Sequence, residues 1–488
     1  MKKNHLGDVP NSEFRIPKFH SINPANGEIV WKGHAASEAE VDEAVKKANE
    51  AFDAWSDIGI KERFTYLECY GKILKENSDK LAETISKEMG KPFWEAKTEV
   101  AAMINKITIS YEAYEKRCPI VIQEQPHAQS ITRHFPHGVV AVFGSFNFPG
   151  HLPNGHIIPA LLAGNTVIFK PSELTPLVGQ EMVSYFEKAG LPTGVMNLIQ
   201  GDKSTGQALA NHPDIQGLFF TGSYPTGQSL SLHFGRHPEK ILALEMGGNN
   251  PLIVSHVDDH KAAAYITIQS GYLTSGQRCT CARRLIVPIG KQGDEFISTL
   301  VDLIAKLTVG PYTLAPEPFM GPLVSAHHAK QVFSAYEDLV SRGGRPLVSM
   351  TRKDAYVTPG LIDVTQIKDR KDVEIFGPLL QLIRVDNFKE AIKEANNTKY
   401  GLAAGLISTN SDEFRQFYKH VKAGVINWNT STTGALSTAP FGGIKCSGNS
   451  RPSGFYSADY CSYPVASLES PQIKMPTSLH PGINITQG

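Results

Sequence analysis

The sequence predicts an α/β protein with two or three domains. Two sets of short apolar segments, typical of buried parallel strands, alternate with helical stretches between residues 138 and 427. The chain has 488 residues, which is more than one hydrophobic core usually serves. Its 41% hydrophobic and 20% charged residues are ordinary for a globular protein, so we expect large buried cores.

The N-terminal part of the chain is predicted to be helical. Ser37-Glu-Ala-Glu has the form of a capping box, and apolar residues then recur at helical spacing from Val41 to Trp55. The helical pattern continues from Lys61 to about Arg117, with a break near Gly90-Lys-Pro. Residues 120–133 alternate like a strand.

Two groups of strands follow the helices. The first group is Val139-Val-Ala-Val-Phe, Thr166-Val-Ile-Phe, Val195-Met-Asn-Leu-Ile and Leu218-Phe-Phe. The second group is Pro251-Leu-Ile-Val, Arg284-Leu-Ile-Val, 379–385, Gly405-Leu-Ile and Gly424-Val-Ile-Asn. A last strand at 460–466 could pair with another sheet edge, as an arm in an oligomer does.

Charge and cysteine content limit the class of partner and the compartment. Lys+Arg and Asp+Glu both number 48, so no global field favours nucleic acid or a membrane, and we expect a small-molecule partner. The N-terminus lacks the apolar stretch of a secretory signal, and no apolar segment approaches membrane-spanning length. Six scattered cysteines indicate a reducing cytoplasm rather than a disulfide framework.

Cys279 and Glu245 are the candidate nucleophile and general base. Cys279 has polar neighbours in Gly-Gln-Arg-Cys-Thr-Cys, which argues against the alternative of a small buried hydrophobe. Cys281 completes a Cys-x-Cys pair, but no His/Cys cluster adds metal ligands, so we expect no metal. Glu245 ends an apolar strand before two glycines, and burial there would raise its pKa towards that of a useful base.

Asn147, in Phe-Asn-Phe-Pro after the strand at 139–143, is the candidate oxyanion donor. Its side-chain amide would lie at the carboxyl edge of the first sheet, where a donor to a developing oxyanion typically contributes about 2.7–4 kcal/mol. The alternative is that Asn147 only forms a turn.

A nicotinamide cofactor would need a binding loop of an unusual kind, because the chain contains no Gly-x-Gly-x-x-Gly. The segment after the strand at 218–220 could bring backbone N–H groups and a hydroxyl to phosphate, although an ordinary strand-to-helix turn is the alternative. Lys170 and Glu173 follow another strand and would bind a ribose, with Glu173 repelling a 2′-phosphate and so favouring NAD over NADP. Glu374 and Phe376 are suited to a second ribose and a ring. The candidate loop residues are Gly222, Ser223, Tyr224, Pro225, Thr226 and Gly227.

These blocks, in this order and together with Pro440-Phe-Gly-Gly-Ile-Lys, resemble the aldehyde dehydrogenase superfamily over nearly the whole chain. The resemblance implies a nucleophilic Cys279, a general base Glu245, an oxyanion donor Asn147 and NAD as cofactor. It also implies two Rossmann-like α/β domains plus a small β oligomerisation domain, in a homodimer or homotetramer. The implied limits are 1–121 and 139–245 for the NAD-binding domain, 246–438 for the catalytic domain, 122–138 and 459–488 for the bridging β segment, and 439–458 for a returning connection.

Substrate choice is indicated by further details. Long stretches around Asn147, Glu245 and Cys279 resemble a branch of the superfamily that acts in bacterial arginine catabolism, whose substrate is a semialdehyde with carboxylates away from the reacting carbon. Arg278 and Arg451 are the candidates to bind those carboxylates. Gly155 replaces a bulky aromatic common in the family, so we expect a wider substrate tunnel. The alternatives are a dehydrogenase for another ω-semialdehyde, or a non-catalytic protein of the same fold.

Overall fold

The computed structural model describes residues 18–476, 478–483 and 485. The helices are α1 Glu38–Asp57, α2 Ile60–Glu76, α3 Ser78–Met89, α4 Phe93–Arg117, α5 His151–Ala163, α6 Pro176–Lys188, α7 Lys203–Asn211, α8 Tyr224–Phe234, α9 His260–Tyr272, α10 Lys291–Ile304, α11 Ala326–Ser341, α12 Phe388–Asn396, α13 Ser411–His420 and α14 Ser457–Tyr460. The strands are β1 Lys18–Ile22, β2 Ile29–His34, β3 Val121–Glu124, β4 Gln129–Pro136, β5 Val139–Phe143, β6 Thr166–Lys170, β7 Met196–Leu198, β8 Gly217–Gly222, β9 Ile241–Met246, β10 Asn250–Val254, β11 Ala282–Pro288, β12 Arg345–Val348, β13 Arg352–Lys353, β14 Tyr356–Val357, β15 Gly360–Asp363, β16 Leu379–Val385, β17 Ala403–Ile407, β18 Val425–Trp428, β19 Pro440–Phe441, β20 Ser453–Gly454 and β21 Ser462–Glu469.

The helical start of the chain forms as its sequence predicts. Ser37 caps α1 through the predicted capping box, in which its hydroxyl accepts from the Glu40 N–H while the Glu40 carboxylate accepts from Ser37. Gly90 ends α3 in the left-handed region at φ 88°, a conformation that glycine adopts without strain. The predicted long helical stretch has one further break, at Asn77 between α2 and α3.

The first sheet has five strands in the order β7-β6-β5-β8-β9, and all are parallel. Helices cover both of its faces, and the two faces bury separate apolar clusters. Because the strands are parallel, their carboxyl ends share one edge, where Phe143, Lys170, Gly222 and Met246 end β5, β6, β8 and β9. Ligands bind outside this edge in open sheets of this kind.

The second sheet has seven strands in the order β12-β15-β16-β11-β10-β17-β18. Its strands are parallel except for the edge strand β12, which runs antiparallel to β15. Two more apolar clusters flank it. The sequence predicted the five consecutive strands from β16 to the edge strand β18, and it missed β12 and β15 at the other side of the sheet, which are short and carry the polar residues Arg345 and Asp363 at their ends. The predicted α/β class with two largely parallel sheets is confirmed.

A three-stranded antiparallel sheet, β21-β4-β3, joins the predicted segments before residue 138 and after residue 459. β21 pairs with β4 of its own chain from Ser462 to Glu469. Between the second sheet and this one, the chain returns through β19, β20 and α14, and α14 packs against α4 and α5. The limits of the domains stay a prediction.

Candidate active site

One cavity, of about 230 Å³, contains both predicted reactive side chains. Glu245 reaches it from the carboxyl end of β9, and Cys279 reaches it from the loop that precedes β11. The helices α4 and α5 and the returning segment with β19 and β20 form the remaining walls. Glu245 and Cys279 are 34 positions apart in sequence. They lie in the same cavity because the end of a strand of the first sheet and a loop of the second sheet face one cleft.

Glu245 is a buried carboxyl group, with 4% of its surface exposed. Its Oε1 atom has no hydrogen-bond partner among the described residues. Burial raises the pKa of Glu245 to about 7, while hydrogen bonding by Ser453 and the charge of Lys106 act in the opposite direction. A carboxyl group that titrates near neutrality is suited to general base catalysis.

The loop that carries Cys279 begins with three residues in the left-handed region: Thr274 at φ 54°, Ser275 at φ 53° and Gly276 at φ 71°. Residues other than glycine seldom adopt this conformation, and such strain is held only where neighbours fix the chain. Ser275 Oγ donates to Gly321 O at 2.7 Å, and a side chain at Gly276 would lie 2.2 Å from the backbone of Gly377. The turn therefore requires glycine at 276 and is locked by the second sheet's loops.

Arg283 fixes the same loop from the protein interior. Its fully buried guanidinium donates to Gly276 O at 2.6 Å and to Arg278 O at 2.9 Å. It also lies 3.7 Å from Glu374. Arg283 thus holds the backbone immediately before Cys279 at two points.

Cys279 is half-buried and lines the cavity. Burial raises the pKa of this thiol, and the carboxyls of Glu245 and Glu374 raise it further, while Arg283 lowers it. The thiol is therefore the resting form, and attack on a carbonyl requires a base to take the proton. Glu245 shares the cavity and can take it.

Asn147 is buried next to the nucleophile loop. Its Nδ2 donates to Gln277 O at 2.9 Å, two residues before Cys279. An amide nitrogen has two protons, so one remains for an oxyanion. The structure brings Asn147, Glu245 and Cys279 together, and their catalytic roles are taken up below as a proposal.

The predicted cofactor residues of the first sheet lie along its carboxyl edge. Lys170 ends β6, is buried, and donates to Pro171 O at 3.1 Å, and burial lowers its pKa. Glu173 is exposed three residues later, and its charge acts on Lys170. Ser223 caps α8 by accepting from Thr226 N. Gly222 ends β8, and the other loop residues, Tyr224, Pro225, Thr226 and Gly227, form the first turn of α8.

Glu374 and Phe376 lie on the facing side, in the segment that leads into β16. Burial raises the pKa of Glu374 to about 7, and its Oε1 has no hydrogen-bond partner among the described residues. Phe376 contacts Phe146 edge to face, with ring centroids 5.8 Å apart. Glu374 Oε1 has an ion-pair contact with Arg283 at 3.7 Å but no hydrogen bond, and the buried Lys170 ammonium has one acceptor. Ribose hydroxyls would supply the missing hydrogen bonds, so these residues fit a dinucleotide.

Of the two predicted substrate residues, one lines the cavity and the other does not. Arg278 lines the cavity, where its guanidinium donates to Glu95 Oε1 at 2.6 Å and lies 4.9 Å from the centre of the Phe148 ring. Arg451 is exposed, is absent from the cavity wall, and places its charge near His137. The prediction for Arg451 has no support in the structure, because Arg451 does not line the cavity although Ser453 and Gly454 do.

Two residues of the site were not predicted. Lys106 of α4 lines the cavity and is 2% exposed, although the sequence places it beside Met103 and Ile107 on the buried side of an amphipathic helix. Asn250 donates to the backbone of the nucleophile loop. A lysine inside the apolar face of a helix is the sequence signal that could have identified Lys106.

Among the described residues no group of three or more His, Cys, Asp and Glu side chains could hold a metal ion. None of the helices described above is both long enough and apolar enough to cross a membrane.

A family model described as the aldehyde dehydrogenase family matches residues 12–464. The N-succinylglutamate 5-semialdehyde dehydrogenase of Ectopseudomonas mendocina is 52% identical over 470 residues, which cover 96% of this chain and 96% of that protein.

Solved structures are similar over nearly the whole chain. A putative methylmalonate-semialdehyde dehydrogenase from Sinorhizobium meliloti, complexed with NAD, matches with a TM-score of 0.89 and 26% identity, covering 96% of this chain and 97% of that one. The glyceraldehyde-3-phosphate dehydrogenase GapN from Methanocaldococcus jannaschii, complexed with NADP, matches with a TM-score of 0.87 and 29% identity, covering 94% and 100%.

Proposed function

This chain belongs to the aldehyde dehydrogenase family, and we propose that it oxidises N-succinyl-L-glutamate 5-semialdehyde to N-succinyl-L-glutamate with NAD, as a step of arginine degradation. The observation that carries the proposal is that Cys279, Glu245 and the cationic Arg278 line one cavity. The 52% identity to a dehydrogenase named for this semialdehyde supports the choice of substrate.

Cys279 acts as the nucleophile. Glu245 accepts the thiol proton, and the sulfur bonds to the aldehyde carbon to give a thiohemiacetal. The free N–H of Asn147 and the backbone N–H of Cys279 donate to the oxygen, which carries the developing negative charge. The hydrogen bond from Asn147 to Gln277 O supports this role, because it holds the amide beside the nucleophile loop.

NAD, when bound, supplies a nicotinamide that accepts the hydride from the thiohemiacetal carbon. Lys170 and Glu173 would hold the adenosine ribose, the 222–227 loop and the start of α8 would bind the pyrophosphate, and Glu374 and Phe376 would hold the nicotinamide end. The buried Oε1 of Glu374 supports this assignment, because it has no hydrogen-bond partner among the described residues.

Glu245 then acts a second time, after the proton that it accepted from the thiol has been released to solvent. It takes a proton from water while the water oxygen bonds to the thioester carbon, the C–S bond breaks, and the Cys279 thiolate leaves. A pKa of about 7 suits this role. Near neutral pH a large fraction of Glu245 is in the carboxylate form, and that carboxylate is a stronger base than an ordinary one.

NADH formation with a panel of aldehydes tests the proposed function. We expect kcat/KM for the succinylated semialdehyde to exceed that for the semialdehydes of glutamate, succinate and aminobutyrate. Cys279→Ala should abolish NADH formation with every aldehyde. Equal kcat/KM values across the panel would favour the alternative of a general ω-semialdehyde dehydrogenase, and absence of all activity would favour a non-catalytic protein.

Cofactor choice has a separate test. Glu173→Gln removes the negative charge that would repel a 2′-phosphate, so the ratio of kcat/KM with NAD to that with NADP should fall by roughly tenfold. Glu187→Gln, also exposed and on α6, is the matched control and should leave the ratio unchanged. An unchanged ratio in Glu173→Gln would remove this residue from the cofactor site.

The proposal includes assembly, domain organisation and location. We propose a homodimer or homotetramer in which the β3-β4-β21 sheet contacts a second copy, because this sheet exposes Ile122, Phe135, Tyr463 and Leu468. The predicted domain limits remain part of the proposal. A cytoplasmic location is supported by the free state of the cysteines in the structure.

A further inference from the structure

Lys106 is a buried cation in the wall of the cavity. It lies on α4, it is 2% exposed, and its Nζ donates to Gly454 O at 2.6 Å. An ammonium has three protons, so this single hydrogen bond leaves two donors for other groups. No carboxylate of the described residues forms an ion pair with it, which distinguishes Lys106 from the other cations around the cavity.

Those other cations have direct partners. The buried Lys91 lies 2.6 Å from Glu99, and Arg278 lies 2.6 Å from Glu95. A buried ammonium without a counter-charge carries a large desolvation cost. Lys106 therefore needs negative charge from a group that faces the same cavity.

Glu245 is the carboxyl group in position to supply that charge. Its contact with Ser453 and the hydrogen bond from Lys106 to Gly454 attach the two side chains to consecutive residues of β20. Both side chains line the cavity, and Glu245 Oε1 has no hydrogen-bond partner among the described residues. β20 thus holds a buried cation and a buried acid beside each other without a direct ion pair.

We propose that Lys106 is a positioning residue that acts through Glu245, because its ammonium stabilises the carboxylate form and so keeps this group available as a base. The inference rests on the proposed catalytic role of Glu245, and it does not depend on which aldehyde is the substrate. Lys106 is thereby assigned to the step in which Glu245 takes a proton from water and the thioester is hydrolysed.

The other titratable groups around the pair do not replace this function. Glu245 also faces the Cys279 thiol and the Tyr460 hydroxyl of α14. Both are neutral when protonated, so neither offers a positive charge. Lys106 itself also faces His151 and His156 of α5 and Cys461, which follows α14. Burial lowers the pKa of His151 to about 4 and that of His156 to about 3, so both rings are neutral near pH 7.

Lys106 is protonated in the pH range in which Glu245 loses its proton. Burial lowers its pKa to about 8, and the pKa of Glu245 is raised to about 7. At pH 7 the ammonium is therefore present while Glu245 loses its proton. Removing a cation near a carboxyl group raises the carboxyl pKa, typically by about one unit or more. Without Lys106, the base form of Glu245 should appear only at higher pH.

The experiment measures hydrolysis of p-nitrophenyl acetate as a function of pH. This ester can acylate Cys279, and Glu245 can then activate water, so neither NAD nor the proposed aldehyde is required. In Lys106→Met we expect the acidic limb of the pH profile of deacylation to move to higher pH by about one unit. On the acidic side of that limb, the deacylation rate of the variant should be roughly tenfold lower than that of the wild type at the same pH. Lys106→Arg, which keeps the charge, should return the limb towards the wild-type position.

Controls separate this role from structural support. Lys97→Met changes an exposed lysine of the same helix and should leave the pH profile unchanged. In a Glu245→Gln background, Lys106→Met should cause no further shift, since the group through which it acts is gone. Thermal melts identify any variant that fails to fold; if Lys106→Met does, Lys106→Gln takes its place.

Two outcomes overturn the inference. One is a folded charge-neutral variant with the wild-type pH profile, and the other is Lys106→Arg behaving like Lys106→Met. Failure of the substrate proposal gives a different result, namely no preference for the succinylated aldehyde while the ester profile still depends on Lys106.

Discussion

Asn250 donates from its side-chain amide to the backbone oxygen of Cys279, at 2.7 Å. The same nitrogen donates to Cys281 O at 2.9 Å, and Asn250 Oδ1 accepts from Ala403 N at 3.0 Å. One buried side chain at the start of β10 therefore ties the nucleophile loop to β17. Because the strained turn at Ser275 lies just upstream, this anchor fixes the orientation of the reactive thiol.

Asn250→Asp should loosen the nucleophile loop. Aspartate keeps the acceptor for Ala403 but loses the N–H donors to Cys279 and Cys281, and it turns a buried carboxylate towards two carbonyl oxygens. We expect a loss of about 1–3 kcal/mol in the free energy of unfolding, measured in urea. The alkylation rate of Cys279 by iodoacetamide should also change, since the loop that positions the thiol is released.

Asn49→Ala is the matched control for this anchor. Asn49 is exposed and donates only to Val45 O of its own helix. Its loss should change the free energy of unfolding by about 0.5 kcal/mol or less and leave the alkylation rate unchanged. Equal effects of the two substitutions on alkylation would contradict the role of Asn250.

Glu245→Gln should change how stability depends on pH. Burial raises the pKa of Glu245 from 4.5 to about 7, so the folded state favours the protonated carboxyl, and this contribution is lost as the pH rises through about 7. Glutamine is neutral throughout. The free energy of unfolding of the variant relative to wild type should therefore rise between pH 4.5 and pH 8, by on the order of 3 kcal/mol at most.

Urea unfolding at several pH values measures that difference. Glu76→Gln changes an exposed carboxylate at the end of α2 and should give a nearly constant difference. A constant difference for Glu245→Gln as well would mean that Glu245 is not held in its neutral form by burial. The free energy of unfolding of the wild type is subtracted from that of the variant at each pH. This subtraction cancels the pH dependence that comes from other carboxyl groups with a raised pKa, such as Glu88 and Glu374.

The sequence predicted the parts of the site that depend on local order along the chain. Glu245 lies near the carboxyl end of a short apolar strand and Asn147 follows another, and a strand end fixes where the next side chains lie. Lys106 could not be placed in this way, because its neighbours Glu245 and Gly454 come from segments far away in sequence. The prediction for Arg451 rests on its charge alone, and charge does not determine whether a side chain faces the cavity or solvent; in the structure it is exposed.

Arg278→Ala should affect both substrate affinity and stability. The variant removes a cavity cation, so KM should rise far more for the succinylated semialdehyde than for a small uncharged aldehyde. It also leaves the buried Glu95 without its partner, which typically costs about 3–5 kcal/mol. Steady-state kinetics on the two aldehydes and urea unfolding measure the two effects separately.

The double variant Arg278→Ala with Glu95→Gln separates binding from folding. Glutamine removes the unpaired charge, so stability should recover in part while KM for the succinylated aldehyde stays high. If KM recovers together with stability, Arg278 supports the fold and does not bind the substrate carboxylate. Equal increases in KM for both aldehydes would lead to the same conclusion.

Gly155 determines the width of the cavity. It lies in α5 and lines the cavity, and a side-chain carbon placed there would meet no atom within 4 Å. Gly155→Phe should fill part of this space, so kcat/KM for the succinylated semialdehyde should fall by roughly tenfold or more, while a two-carbon aldehyde should be affected less. Gly155→Ala is the control: alanine adds one methyl group, should keep activity on both aldehydes, and should stabilise the helix by up to about 1 kcal/mol. If Gly155→Phe slowed both aldehydes equally, its ring would be disturbing the reactive groups themselves, and the width of the cavity would not explain the choice of substrate.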